Sequence, residues 1–203
     1  MKLVIVDYGM GNLRSVTSAI RYLGYEQVEI SNDPLVLSCA DKLILPGVGN
    51  YARAMSRINE LNLTDIIRSL VLADRKPILG ICLGMQLMGK SSTEGGFNEG
   101  LCLVDGLVEA FEVKDLKVPH VGYNQVTPCQ NSRLYSEVGG EPDYYFTHSF
   151  RMTSQTDIGN TTCFYGERFI AGFEVENIAG VQFHPELSQT NGLKLLKNFI
   201  ELF

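Results

Sequence analysis

Apolar residues are arranged in two textures along this chain, and the change comes near residue 100. Before it, short, largely apolar runs at 3–6, 28–30, 42–45 and 78–81 alternate with stretches of helical spacing. Leu13, Val16, Ala19, Ile20 and Leu23 recur at intervals of three and four, which predicts a helix capped by Asn12 and stopped at Gly24. Further helices are expected near 33–38, 52–61 and 64–73. Strands alternating with helices build a parallel sheet, and short strands apolar on both sides suit a sheet covered on both faces. After residue 100, apolar and polar residues alternate at 107–112, 144–146, 163–165 and 169–175 between Pro, Gly and Asn turns, which predicts antiparallel strands. Residues 180–183 read as a last strand. Residues 192–203 read as a last helix, with Leu193, Leu196, Phe199, Ile200 and Phe203 on one face. Residues 91–100, rich in Ser, Gly and Glu, read as a mobile loop.

Composition narrows the class. A chain of 203 residues is long enough for one α/β domain with a full core, so a single domain over 1–203 is expected. Its formal net charge of −6 and the lack of any lysine or arginine run remove the footprint of a nucleic-acid binder. The five cysteines, Cys39, Cys82, Cys102, Cys129 and Cys163, are odd in number and form no Cys-x-x-Cys pair. That argues against a disulfide framework or structural zinc and for a reducing compartment. The apolar start is cut short by Asp7 and no later run approaches a membrane span, so a cytoplasmic protein without membrane contact is expected. No metal is expected, because His184-Pro-Glu186 lacks a histidine pair at helical spacing. No cofactor is expected either. Gly9-Met-Gly11 begins like a dinucleotide-binding turn, but Arg14 occupies the place of the third glycine.

The chemistry centres on Gly80-Ile-Cys82-Leu-Gly84, directly behind an apolar run. Small residues two positions before and after a nucleophile allow the sharp strand-to-helix turn of a nucleophile elbow. The helix expected from Leu83 would aim its positive end at the sulfur and favour thiolate. The other four cysteines read as small buried apolar residues. A nucleophilic thiolate needs a base, and His184 is the best placed of the three histidines. In an extended segment Glu186 points the same way as His184 and can hold one ring nitrogen while the other faces Cys82. His120 and His148 read equally well as site-lining groups or as loop hydrogen-bonders. Pro46-Gly47-Val48-Gly49 follows a strand at the carboxyl edge of the sheet, where ligands of open α/β sheets bind. Its amides, with that of Leu83, form a candidate oxyanion hole. Asn12 and Arg14 read either as polar groups presented at that edge, or as a helix cap and an exposed arginine.

The cysteine elbow and the late His-x-Glu resemble those of the class I glutamine amidotransferases. A narrower resemblance, to the glutaminase subunits of imidazole glycerol phosphate synthases, rests on six stretches in order: Asp7-Tyr-Gly-Met-Gly-Asn-Leu-Arg-Ser15, Leu45-Pro-Gly-Val-Gly49, Gly80-Ile-Cys-Leu-Gly-Met-Gln86, Pro119-His-Val-Gly-Tyr-Asn124, Tyr145-Phe-Thr-His-Ser149 and Gly180-Val-Gln-Phe-His-Pro-Glu186. They span essentially the whole chain. The resemblance implies a flavodoxin-like fold, a mainly parallel sheet flanked by helices with extra antiparallel strands in the second half. It also implies hydrolysis of glutamine to glutamate by Cys82, His184 and Glu186. The ammonia would pass to a (β/α)₈ cyclase subunit, bound as a heterodimer, that makes imidazole glycerol phosphate and aminoimidazole carboxamide ribonucleotide in histidine biosynthesis. By the same resemblance Gly49, Gln86, His148, Ser149 and Phe150 would line the glutamine pocket, and Asn12, Arg14, His120, Tyr123 and Leu187 would face the partner.

The chain departs from those subunits at Tyr123, where tryptophan is usual, at Leu187, where lysine is common, and at 91–96, which is less acidic. A paralogue feeding ammonia to a cyclase-like partner during amidation of bacterial surface sugars is therefore the alternative. A non-catalytic interaction module predicts a missing triad member, and none is missing. A partner-independent thiol hydrolase acting on peptides or γ-glutamyl conjugates predicts full activity of the isolated chain.

Overall fold

The computed structural model describes residues 1–113 and 116–203. The first half runs β1 (Leu3–Val6), α1 (Leu13–Tyr22), β2 (Val28–Ser31), α2 (Pro34–Ser38), β3 (Lys42–Gly47), α3 (Tyr51–Glu60) and α4 (Leu63–Arg68). A π-helical turn at Ser69–Ala73, β4 (Ile78–Cys82) and α5 (Leu83–Leu87) complete it. The second half adds β5 (Ser91–Ser92), β6 (Asn98–Glu99), β7 (Leu107–Ala110), β8 (His120–Thr127), β9 (Asp143–His148) and β10 (Phe150–Thr153). β11 (Thr161–Tyr165), β12 (Glu167–Val175), β13 (Ile178–Val181), a 3-10 turn at Pro185–Leu187 and α6 (Gln189–Leu202) follow.

The sheet is parallel where the sequence is apolar throughout and antiparallel where it alternates. Its order is β2-β1-β3-β4-β13-β12-β10-β7-β5-β6, with β11 joining β12 to β8, and β9 pairing with β8. β2, β1, β3, β4 and β13 are mutually parallel, and β12 turns the direction against β13. The two-residue period of the strands divides the core cleanly. Val4, Val6, Leu43, Leu45 and Ile78 pack on one face beneath α3, α4 and α5. Leu3, Ile5, Ile44, Leu79 and Ile81 pack on the other beneath α1 and α6. The parallel order places the carboxyl ends of β3 and β4 side by side, with Gly47 paired to Cys82. β13, paired to β4, delivers His184 to the same edge.

Several expectations are corrected. β8 and β10 are strands not expected from the sequence, because the apolar positions Val121 and Tyr123 of β8 point outward and break the signal of a half-buried strand. Residues 91–100 carry a small hairpin, with Ser91 opposite Glu99 and Ser92 opposite Asn98. Burial on both faces holds for β1, β3 and β4, but the edge strand β2 buries only Val28. In α6 the buried face includes Leu195, while Leu193 and Phe203 are only partly covered. Asn12 does not cap α1 through its side chain. Cys39 and Cys102 are exposed and Cys129 is half-buried, so only Cys163 fits the reading of a small buried residue. No helix among the described residues is long and apolar enough to cross a membrane.

Candidate active site

Cys82 stands where β4 breaks into α5, with φ 53 and ψ −112. That region is sparsely populated for a residue with a side chain and costs on the order of 1–3 kcal/mol, so neighbouring packing must impose it. The flanking glycines make the turn possible by close approach. A Cβ at Gly80 would lie 2.7 Å from Met85 Cα, and one at Gly84 would overlap the Leu45 carbonyl. Gly84→Ala is therefore expected to destabilise the protein by about 1–3 kcal/mol through overpacking, although alanine normally favours a helix over glycine by roughly 1 kcal/mol. The urea midpoint gives the sign; a stabilised variant would contradict this packing.

His184 follows β13 and is almost fully buried, at 3% exposure. Its Nδ1 lies 2.9 Å from Glu186 Oε1, and the Glu186 side chain is 1% exposed. A carboxylate only accepts, so Nδ1 carries the proton. The pairing is made by the 3-10 turn at Pro185–Leu187 and not, as expected, by an extended segment. Asn12 Nδ2 donates to the same Glu186 oxygen at 3.4 Å, which is where the side chain expected to cap α1 is used. The Nε2 of His184 faces Cys82 and has no other polar partner among the described residues. Burial by itself lowers the imidazole pKa. Cys82 and Glu186, the groups facing its two nitrogens, outweigh it and raise the pKa to about 10. The environment therefore favours an imidazolium facing Cys82.

Sulfur and imidazole share a cavity of about 320 Å³. Val48, Gly49, Leu83, Gln86, His148, Ser149 and Phe150 line it, together with Glu94, Pro119 and Thr147, which sequence reasoning does not single out. Gly47 is corrected: it is the buried last residue of β3 and does not line the cavity. A wider cleft of about 800 Å³ between 127–141 and Leu202 contains Cys129 but no histidine, so size does not mark the site.

The remaining histidines form a buried chain. His148 Nδ1 lies 2.8 Å from the Phe150 carbonyl, which can only accept, so Nδ1 holds the proton. Its Nε2 therefore accepts from His120 Nδ1, 3.1 Å away. His120 stacks on Phe146 and Tyr165 with ring centroids 4.8 and 4.0 Å apart. At 2% exposure it cannot meet a partner, which corrects its expected interface role. Tyr123, Leu187 and Arg14 are exposed, and the Tyr123 hydroxyl donates to the Leu187 carbonyl at 2.7 Å.

Burial lowers the pKa of His120 to about 4 and of His148 to about 3. Both folded values lie below the usual 6.5, so unfolded chains take up protons first and the stability these residues contribute is lost as pH falls from 6.5 toward 4. The loss is about 1.4 kcal/mol per pH unit for each proton. His184, with its pKa raised, contributes stability present below 6.5 and lost as pH rises toward 10. The urea midpoint is expected to fall steeply from pH 7 to pH 5; a flat profile over that window would contradict buried neutral rings at 120 and 148.

The sequence profile of the family described as glutamine amidotransferase class-I matches residues 4–202. The Campylobacter jejuni protein named imidazole glycerol phosphate synthase subunit HisH 1 is 42% identical over 98% of this chain and 100% of its own length. The Aquifex aeolicus protein named imidazole glycerol phosphate synthase subunit HisH is 43% identical over 98% of this chain and 96% of its own. A solved structure described as a glutamine amidotransferase from Thermotoga maritima superposes with a TM-score of 0.69 at 14% identity, over 99% of this chain and 96% of that one. At that identity the likeness is one of fold.

Proposed function

The chain belongs to the class I glutamine amidotransferases, and from that premise we propose that it is the glutaminase subunit of an imidazole glycerol phosphate synthase. The observation that carries the reading is a cysteine held in a strained elbow, in one cavity with an imidazole whose far nitrogen is bound to a buried carboxylate. Cys82 Sγ attacks the side-chain carbonyl carbon of glutamine. The oxygen becomes an oxyanion facing the Leu83 amide and the Val48–Gly49 segment. His184 Nε2–H gives its proton to the leaving nitrogen, ammonia departs, and a γ-glutamyl thioester remains. Water then gives a proton to His184, attacks the thioester and releases glutamate with the thiolate restored. Glu186 keeps the ring oriented and stabilises its charge. Glu94, a half-buried carboxylate on the cavity wall, suits the α-ammonium of glutamine.

Free ammonia would be protonated in water, so the reading includes a partner that receives it directly: a (β/α)₈ cyclase subunit in a cytoplasmic heterodimer. Exposed Arg14, Tyr123 and Leu187, with Asn12 behind them against Glu186, suit a face across which such a partner could act on the site. The surface-sugar alternative is not favoured, since the relatives at 41–44% identity across nearly the whole chain carry the imidazole glycerol phosphate synthase name. The test is reconstitution with a histidine-pathway cyclase and its ribonucleotide substrate. Glutamate release should rise and match imidazole glycerol phosphate formation; partner-independent turnover with no such coupling would overturn the assignment.

A further inference from the structure

Gln182 lies two residues before the catalytic histidine and has no part in the triad, yet its side chain is completely buried, at 0% exposure. A buried primary amide is costly unless its donors and acceptor are satisfied, and its partners here define its orientation. The Phe150 carbonyl oxygen can only accept, so the Gln86 atom 3.0 Å from it is the amide nitrogen, Nε2. That same nitrogen lies 2.9 Å from the Gln182 side chain, so the Gln182 atom facing it is the oxygen, Oε1. The other terminal atom of Gln182, 3.7 Å from Cys82 Sγ, is therefore the nitrogen, Nε2. A backbone carbonyl thus dictates, through two glutamines, that an N–H points at the sulfur. The backbone of Gln182 is fixed as well, its N–H donating to the Ala171 carbonyl at 2.9 Å.

We propose that the Gln182 side-chain amide is a second hydrogen-bond donor to the Cys82 thiolate, holding the sulfur from the side away from substrate and stabilising it as nucleophile and as leaving group. The inference rests on the glutaminase reading for its meaning in turnover, but the contact itself does not. Cys82 is 6% exposed, so water solvates its charge poorly and fixed donors must take that place. His184 supplies one but must give its proton to the departing ammonia. Gln182 never gives up a proton and so keeps its donor through every step. When the thioester forms, sulfur loses its charge and the contact weakens. When water attacks and the C–S bond breaks, the electron pair returns to sulfur and the contact is restored.

Iodoacetamide needs no glutamine pocket, so the rate of Cys82 alkylation against pH, read by peptide mass spectrometry, reports the thiolate directly. Gln182→Met keeps the length and removes the donor. Its alkylation midpoint should move up by about one pH unit, the equivalent of a hydrogen bond to a charged group, with a roughly tenfold loss of kcat. An unchanged midpoint in a folded Gln182→Met protein would overturn the proposal. If that variant does not fold, the side-chain amide protons of Gln182 in the unmutated protein, followed by NMR, should shift as Cys82 ionises and stay still in Cys82→Ala. Amide protons indifferent to that ionisation would also overturn it. Failure of the glutaminase reading looks different: Cys82→Ala would still release glutamate, whatever the alkylation shows.

Discussion

Replacing Cys82 by alanine should lower glutamate release at least about 1000-fold, because it removes the nucleophile that carries the γ-glutamyl intermediate. Among the described residues the cavity holds one thiol, and the remaining cysteines lie elsewhere. The substitution removes one sulfur from a tightly packed turn, so the loss should appear in kcat with the fold retained. Cys82→Ser should be almost as inactive, since a hydroxyl keeps its proton beside an imidazole that a thiol would ionise. Steady-state glutamate release with the cyclase partner present is the measurement. Turnover within tenfold of the unmutated protein would remove the nucleophile from the account.

Glu186→Gln should cost about 10²–10⁴-fold in kcat while leaving the cavity intact. The side-chain oxygen of glutamine can still accept from His184 Nδ1, so ring orientation survives and the charge alone is lost. That charge is one of the causes raising the His184 pKa. The alkaline limb of the kcat/KM profile should therefore move down from near pH 10 in the variant, toward the usual imidazole range. A profile that loses amplitude without moving would mean that Glu186 acts only as a support.

How far the sequence foretells this site depends on what kind of interaction builds each part. The parallel half was legible because β1, β3 and β4 are buried on both faces, and a short, unbroken apolar run between turn residues suits such a strand above all else. The elbow was legible for a steric reason: Gly80 and Gly84 are required by contacts with Met85 and Leu45 that no larger residue fits. Glu186 was correctly paired with His184 but through the wrong local geometry, since proline after the histidine starts a 3-10 turn instead of extending the strand.

What stayed hidden are interactions between residues far apart in sequence. Gln182 and Gln86 are separated by 96 positions, and nothing local tells a glutamine that ends at a sulfur from one that ends in water. His120 is the clearest failure of surface reasoning. Its apolar neighbours Val121 and Tyr123 are exposed, yet alternation along β8 turns His120 inward between aromatic rings. The same strand directs the Tyr123 hydroxyl outward to the Leu187 carbonyl. Gly47 failed for a related reason: β3 continues two residues further than the apolar run suggested, and the loop amides begin only at Val48.

Rapid acid quenching during glutamine turnover, followed by peptide mass spectrometry, meets the central claim most directly. A peptide containing Cys82 should carry the added mass of glutamine less ammonia, and no such peptide should appear in Cys82→Ala. Glutamate forming with no such adduct, or with the adduct on another cysteine, would contradict a thioester at Cys82.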